Sequence, residues 1–201
     1  MGTTLTGNAE NGGSRRWSLL KIAVWAAPAL FMLAMLINNQ LTDEEGWSVG
    51  DFIFGSVVFY GALAGFELVA KRSGSPLYRT GANAGIVSMV LLLWGNAAHG
   101  VTISSADVGY LGALAIGIVG LIVAQVRPAG RARAVVMVRT MIAAAVTTGL
   151  VSVAALIAGS VGAHRTTFEV VGITAFYVVL FAGSAWIFRE AARGATEQDA
   201  P

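Results

Sequence analysis

Six stretches of about 20 mostly apolar residues run through this chain, and only short polar connections separate them. A helix needs about 20 apolar residues to cross the hydrocarbon core of a bilayer. Only 12% of the residues are charged, about half the usual share for a soluble domain, so little polar surface is available to face water. The sequence therefore predicts an all-α polytopic membrane protein, a six-transmembrane-helix bundle. The predicted spans cover residues 18–38, 51–70, 80–99, 107–126, 138–160 and 169–188.

The two ends of the chain are polar. Residues 1–16 are predicted to form a disordered cytoplasmic tail, residues 17–190 the transmembrane domain, and residues 191–201 a second cytoplasmic tail. The first apolar run resembles a signal peptide, but it ends in Asn38-Asn39-Gln40 without a small-residue cleavage site. We therefore interpret it as a retained first helix.

Basic residues fall almost entirely on one side of the predicted spans. Lys and Arg in short loops mark the cytoplasmic face of a membrane protein. Arg165 is the exception, since it lies between the fifth and sixth spans. This pattern predicts that both termini are cytoplasmic. Of the 13 basic residues, 12 share the predicted inner side: Arg15, Arg16, Lys21, Lys71, Arg72, Arg79, Arg127, Arg131, Arg133, Arg139, Arg189 and Arg193.

Six of the 11 acidic residues lie on the opposite side, where three spans begin. An [ST]-x-x-[DE] capping box satisfies helix-start N–H groups, which lipid cannot do. The sequence predicts such a box before the second, fourth and sixth spans: Ser48 with Asp51, Ser104 with Asp107, and Thr166 with Glu169. Asp43, Glu44 and Glu45 add to the predicted acidity of this outer side.

Glu67 is the one acidic residue within a predicted span whose position neither a helix cap nor a loop explains. It precedes Lys71 by four residues, about 6 Å of helix rise, so it lies toward the cytoplasmic side. Tyr60 shares its helix face, and Asn83 lies at a matching depth in the next helix. Three interpretations remain open: a structural hydrogen bond to Asn83, Tyr78 or Arg79; a proton- or cation-binding group in a polar cavity; and snorkelling toward the interface.

Two further groups of polar residues are candidates for binding. The first group lies at one predicted depth near the outer side and consists of Asp51, Trp94, Asn96 and His99. These residues are candidates for the lining of an outward vestibule; the alternative is that they are ordinary polar residues of the membrane interface. The connection between the fourth and fifth spans suits contact with anionic lipid head groups, although the topology already explains its charge. Its candidate lipid contacts are Arg127, Arg131 and Arg133.

The residue inventory predicts no catalytic or metal site. Cysteine is absent and only two histidines occur, neither in an HExxH motif. We expect no cofactor apart from bound lipids and no nucleic-acid partner. The 25 glycines predict close helix contacts, for example through Gly61 and Gly65 or through Ala113 and Gly117. These contacts are expected mainly within one bundle, with an oligomer interface as the alternative.

Residues 40–100 resemble a set of uncharacterised bacterial inner-membrane proteins of similar length with six predicted spans. The resemblance rests on Thr42-Asp-Glu-Glu-Gly-Trp-Ser-Val-Gly-Asp-Phe-Ile, Tyr60, Phe66-Glu67-Leu-Val-Ala-Lys-Arg and Tyr78-Arg79. The ending Ser184-Ala-Trp-Ile-Phe-Arg-Glu-Ala-Ala-Arg is similar too. The resemblance implies a bacterial source and this topology, and it carries no ligand or catalytic residue.

Two functions are compatible with these patterns. The first is a non-enzymatic accessory or structural subunit that packs against a larger membrane complex or against its own copies. It is favoured by the lack of inserted soluble domains and by the many small-residue faces. The alternative is a small oligomeric permease or channel for protons, ions or a small solute. It would use Glu67, Tyr60 and Asn83 in the inner half, and Asn96 and His99 in the outer half.

The substitution Glu67→Gln tests the interpretations of this residue. A structural role predicts impaired assembly, because the amide replaces a carboxyl that joins two helices. A transport role predicts loss of solute movement with assembly intact, because the amide cannot carry a proton or hold a cation. Size-exclusion profiles and a liposome flux assay measure the two effects. If neither changes, both interpretations are wrong.

Overall fold

A computed structural model describes residues 7–41, 46–127 and 130–198. Within these ranges all regular secondary structure is helical, and no strand occurs. The predicted acids Asp43, Glu44 and Glu45, the first six residues and the last three lie outside the described residues. The helices are α1 (Gly7–Leu41), α2 (Val49–Arg72), α3 (Pro76–Ala98), α4 (Tyr110–Val126), α5 (Arg131–Ile157) and α6 (Thr167–Gln198).

Within the described ranges six helical segments are long and apolar enough to cross a membrane, which confirms the predicted all-α, six-span fold. Several helices continue past the predicted spans at their basic ends. α5 begins at Arg131 rather than at residue 138, and α6 continues beyond residue 188. Long basic side chains can reach water from a helix end, so the helix need not stop where its apolar run stops. α1 begins at Gly7.

By internal contacts the chain divides into two units, residues 1–64 and 65–201. In the first unit, aromatic side chains join α1 to α2: Trp25 stacks on Tyr60 with ring centroids 6.2 Å apart, and Phe31 meets Phe59 edge-on at 5.6 Å. At the end of α1, the Asn39 amide donates to the Trp47 carbonyl at 2.7 Å and accepts from the Trp47 N–H at 3.0 Å. This pair joins the end of α1 to the residue two positions before α2 begins.

The second unit is built on a four-helix bundle of α3 to α6. α6 packs extensively against both α3 and α5, α5 packs against α4, and a smaller contact between α3 and α4 closes the ring. Large side chains fill its centre and are fully buried: Leu92, Met137, Met141, Phe181 and Phe188.

Close helix contacts in this bundle depend on glycine. A Cβ added at Gly81 would lie 3.1 Å from the Phe188 ring, and one at Gly85 would lie 3.0 Å from the sulfur of Met141. Gly117 leaves space for Met89, as the predicted small-residue face of α4 requires. By contrast, a Cβ at Gly61 would meet nothing within 4 Å. Small residues therefore serve packing inside the bundle at most of these positions.

Two of the three predicted capping boxes are confirmed. Asp51 Oδ2 accepts from the Ser48 N–H at 2.8 Å, and Ser48 Oγ accepts from the Asp51 N–H at 3.2 Å. Glu169 Oε2 accepts from the Thr166 N–H at 2.8 Å, and Thr166 Oγ1 accepts from the Glu169 N–H at 3.2 Å.

The third predicted box is wrong. A 3-10 turn, Ser105–Gly109, precedes α4, and its tighter winding brings Ser104 Oγ to the Ala106 N–H at 3.1 Å. Asp107 instead turns back to the loop after α3, where its Oδ1 accepts from the N–H and the hydroxyl of Thr102, each at 2.8 Å. The carboxylate thus organises a loop rather than a helix start.

Candidate functional site

Glu67 forms an ion pair one helical turn along its own helix. Its Oε1 lies 3.0 Å from Nζ of Lys71, and the side chain of Glu67 is 35% exposed. Asn83 is exposed on α3, and Tyr60 stacks on Trp25 in the first unit. Arg79 donates from Nε to the Ser73 carbonyl at 2.6 Å. The structure therefore brings Glu67 to a lysine at the basic end of α2.

The predicted outer residues have separate roles. Asp51 caps α2, as described above. Asn96 donates from its side-chain amide to the Asp107 carbonyl at 3.3 Å and so ties the end of α3 to the turn before α4. His99 is exposed after the last residue of α3, and Trp94 is half-buried on the same helix. Asn96 and His99 thus share one end of the bundle.

A groove of about 320 Å³ lies at this end, between the α3–α4 loop and the first turns of α6. Arg165, the basic residue that departs from the charge pattern, lines it together with His99 and Tyr177. Arg165 donates from Nη2 to the Gly100 carbonyl at 3.2 Å, and Tyr177 donates to the Leu91 carbonyl at 3.1 Å. Both bonds join neighbouring segments, so the lining side chains already hold the bundle's end together.

A chain of buried hydroxyls joins three helices near the same end. The hydroxyls of Tyr110 and Ser152 are 2.5 Å apart, and Ser152 also bonds the hydroxyl of Thr174. Tyr110 is fully buried, while Ser152 and Thr174 are 3% and 8% exposed. Neither bond involves an imidazole or a carboxylate that would activate a hydroxyl as a nucleophile. The chain fastens α4, α5 and α6 together. Sequence reasoning missed it because isolated hydroxyls in apolar helices give no pattern.

Arg133, at the basic end of the bundle, is a buried charged side chain. Of the three candidate lipid contacts, Arg127 and Arg131 are exposed, whereas Arg133 is only 8% exposed. Arg133 Nη1 donates to the carbonyl of Arg72 at 2.9 Å, and Nη2 donates to the carbonyl of Arg127 at 3.0 Å. Arg72 ends α2 and Arg127 follows α4, so one guanidinium bridges two helix C-termini.

Helix C-termini carry partial negative charge, which a guanidinium complements by about 0.3–1 kcal/mol per end and by more when buried. The guanidinium also lies over the Tyr78 ring, 6.0 Å from its centroid, and Tyr78 in turn meets Phe188 edge-on at 5.2 Å. Among the described residues, neither Arg133 Nε nor the Tyr78 hydroxyl has a hydrogen-bond partner, although both atoms are buried. Arg133 and Tyr78 both line a cavity of about 620 Å³.

The hydroxyl chain makes a stability prediction. Ser152→Ala removes both hydroxyl bonds and leaves Tyr110 and Thr174 with buried, unpaired groups, so we expect a loss of about 1–2 kcal/mol. Ser88→Ala is the matched control, because Ser88 is equally buried but its Oγ bonds only the Ala84 carbonyl of its own helix. Unfolding in mixed detergent micelles measures both. Equal losses would show that the chain does not join the helices.

The chain has no detected relative: comparisons with protein-family models, with curated proteins and with solved structures gave no match. The resemblance over residues 40–100 therefore remains a prediction. Groups of three or more His, Cys, Asp or Glu that could hold a metal ion are also absent from the part of the chain that the structure describes.

Proposed function

We propose that the protein is a non-enzymatic, multi-pass protein of a bacterial inner membrane, with both termini in the cytoplasm. In this proposal it acts as an accessory or structural subunit that packs against a larger membrane complex or against further copies of itself. The observation that carries the proposal is the closed, apolar centre of the bundle formed by α3 to α6.

The centre of that bundle contains side chains that leave little room for a polar solute. Met141 and Leu92 are fully buried there. Buried hydroxyls within these helices bond carbonyls one turn back: Ser88 bonds Ala84 at 2.7 Å, and Thr148 bonds Ala144 at 2.8 Å. Transporters commonly place binding sites at the midplane, where broken helices expose backbone groups. α3 to α6 are continuous through their middles, which supports a structural role.

One face of α6 supports contact with another protein. Gly172 and Gly183 are exposed, and a Cβ added at either glycine would meet nothing within 4 Å. They are 11 residues apart, about three helical turns, so they share a face. In lipid the hydrophobic effect does not drive helices together, because lipid tails are as apolar as the side chains. Helices associate instead where small residues let their backbones approach closely. Such a face suits a helix of a partner subunit or of a second copy.

The permease alternative depends on Glu67 lining a polar cavity. Its ion pair with Lys71 and its one-third exposure favour a surface pair at the end of α2. Exposed pairs of this kind contribute about 0.3–0.5 kcal/mol and are screened by salt. This arrangement gives Glu67 an ordinary role and lends the alternative no support.

The accessory role predicts an assembly that a bulky side chain on the open face disrupts. We expect the protein mass of gently solubilised wild type, after the bound detergent is subtracted, to be well above the 20.8 kDa of one monomer. Gly183→Leu should lower that mass, because leucine separates the helix backbones. Gly112→Leu on α4 is the matched control, since it is exposed and its added Cβ would lie 3.8 Å from Thr147. Light scattering coupled to size exclusion measures the masses.

Two results would contradict the accessory role. One is a wild-type protein that remains monomeric under the gentlest extraction. The other is Glu67-dependent movement of ions or solute in proteoliposomes that contain only this chain, which would favour the permease instead.

A further inference from the structure

The cavity at the basic end of the second unit has the features of a built site for an anion. It lies between the α2–α3 turn, the start of α5 and the end of α6. Small residues line much of it and leave space, among them Gly74, Ala191 and Gly194. Four polar side chains line it, those of Ser73, Ser75, Tyr78 and Arg133. Tyr78 and Arg133 are 4% and 8% exposed.

The charge of Arg133 is only partly compensated. No carboxylate of a described residue forms an ion pair with Arg133. The two ion pairs among these residues are Glu67 with Lys71, and Glu190 with Arg193 at 2.7 Å. Two neutral carbonyls, those of Arg72 and Arg127, accept from its terminal nitrogens. A buried guanidinium normally has a full negative charge beside it. The guanidinium therefore has partial negative charge from two helix ends, but no full negative charge beside it among the described residues.

Two donors in the cavity lining are also unused. The Arg133 Nε–H and the Tyr78 hydroxyl are buried and have no acceptor among the described residues. Buried donors are satisfied in most proteins, and each unsatisfied one calls for an explanation. A tetrahedral anion offers several acceptor oxygens, and a guanidinium binds phosphate better than an ammonium does because its N–H groups are fixed in a planar fork.

We propose that this cavity binds a phosphate group, which accepts hydrogen bonds from the Tyr78 hydroxyl and the Arg133 Nε–H. The cavity lies where basic helix ends meet, and basic pockets between transmembrane helices at that level bind phosphate-bearing lipid head groups. A free phosphate offers the same oxygens. The proposal does not depend on the accessory role, because a transporter could hold the same anion.

Tyr78→Phe tests the proposal without removing a bond that the protein itself uses. The ring keeps its contacts with Phe188 and Arg133, so stability without ligand should match wild type. Phosphatidylglycerol is titrated into purified protein in a neutral detergent with 0.5 M sodium chloride, which screens exposed charges. We expect a saturable rise in melting temperature for wild type and about tenfold weaker half-saturation for Tyr78→Phe. A diacylglycerol, which lacks the phosphate group, should give a smaller rise.

Controls separate this site from general charge and from loss of any phenol. Tyr60→Phe removes a phenol hydroxyl from the first unit and should leave the titration unchanged. Arg131→Gln removes an exposed charge near the start of α5 and should weaken only binding at low salt. Arg133→Lys keeps the charge but loses the fork, so it should also bind more weakly.

Inorganic phosphate is titrated separately to identify the source of the anion. If phosphate alone protects wild type and Tyr78→Phe weakens that protection, the site is supported and a free anion suffices. If phosphatidylglycerol alone protects in a Tyr78-dependent way, the site is supported and lipid is the source. Equal half-saturation of wild type and Tyr78→Phe, or equal effects of the two lipids on wild type, would overturn the proposal.

Discussion

The hydrocarbon interior of a bilayer cannot hydrogen-bond to a peptide group, so every backbone N–H and C=O at that depth must be satisfied by the protein. Helices meet this demand along their length but leave unpaired groups at each end. The polar residues of this chain are concentrated at those ends. Asp51 and Glu169 satisfy N–H groups where α2 and α6 begin, and Arg133 satisfies carbonyls where α2 and α4 end. The polar contacts at these helix ends thus follow from one requirement.

Inside the bundle, helices are joined by close packing and by neutral hydroxyls. Ser184 of α6 donates to the Gly81 carbonyl of α3 at 2.8 Å, at a glycine that also admits the Phe188 ring. Ser152 links Tyr110 and Thr174 across three helices. Neutral groups suit these buried positions, because an ionised side chain inside a membrane is costly. Buried donors without an acceptor among the described residues lie at both ends of the bundle: Tyr78, Gln125 and Arg133 at the basic end, and Arg165 at the opposite end.

The number of helices, their approximate limits and two capping boxes could be predicted, because each depends on local sequence patterns. The Ser104–Asp107 box could not, since Asp107 is engaged by Thr102 in a loop whose path depends on tertiary packing. For the same reason, Arg127, Arg131 and Arg133 look alike as sequence, and only the fold buries the third. Glu67 was a candidate site residue because it is an isolated acid within a predicted span. Its ion-pair partner is a lysine four residues away on the same helix.

Six helices among the described residues can span a membrane, and the proposed orientation places their basic ends in the cytoplasm. The chain has no cysteine, so single cysteines can be introduced without altering the background. Gly74→Cys marks the α2–α3 turn and Ala163→Cys marks the α5–α6 connection, and both positions are exposed. In spheroplasts of a bacterial host, a membrane-impermeant maleimide should label Ala163→Cys directly and Gly74→Cys only after lysis. Labelling of both in intact spheroplasts would contradict the three intervening spans, and the reverse pattern would contradict the orientation.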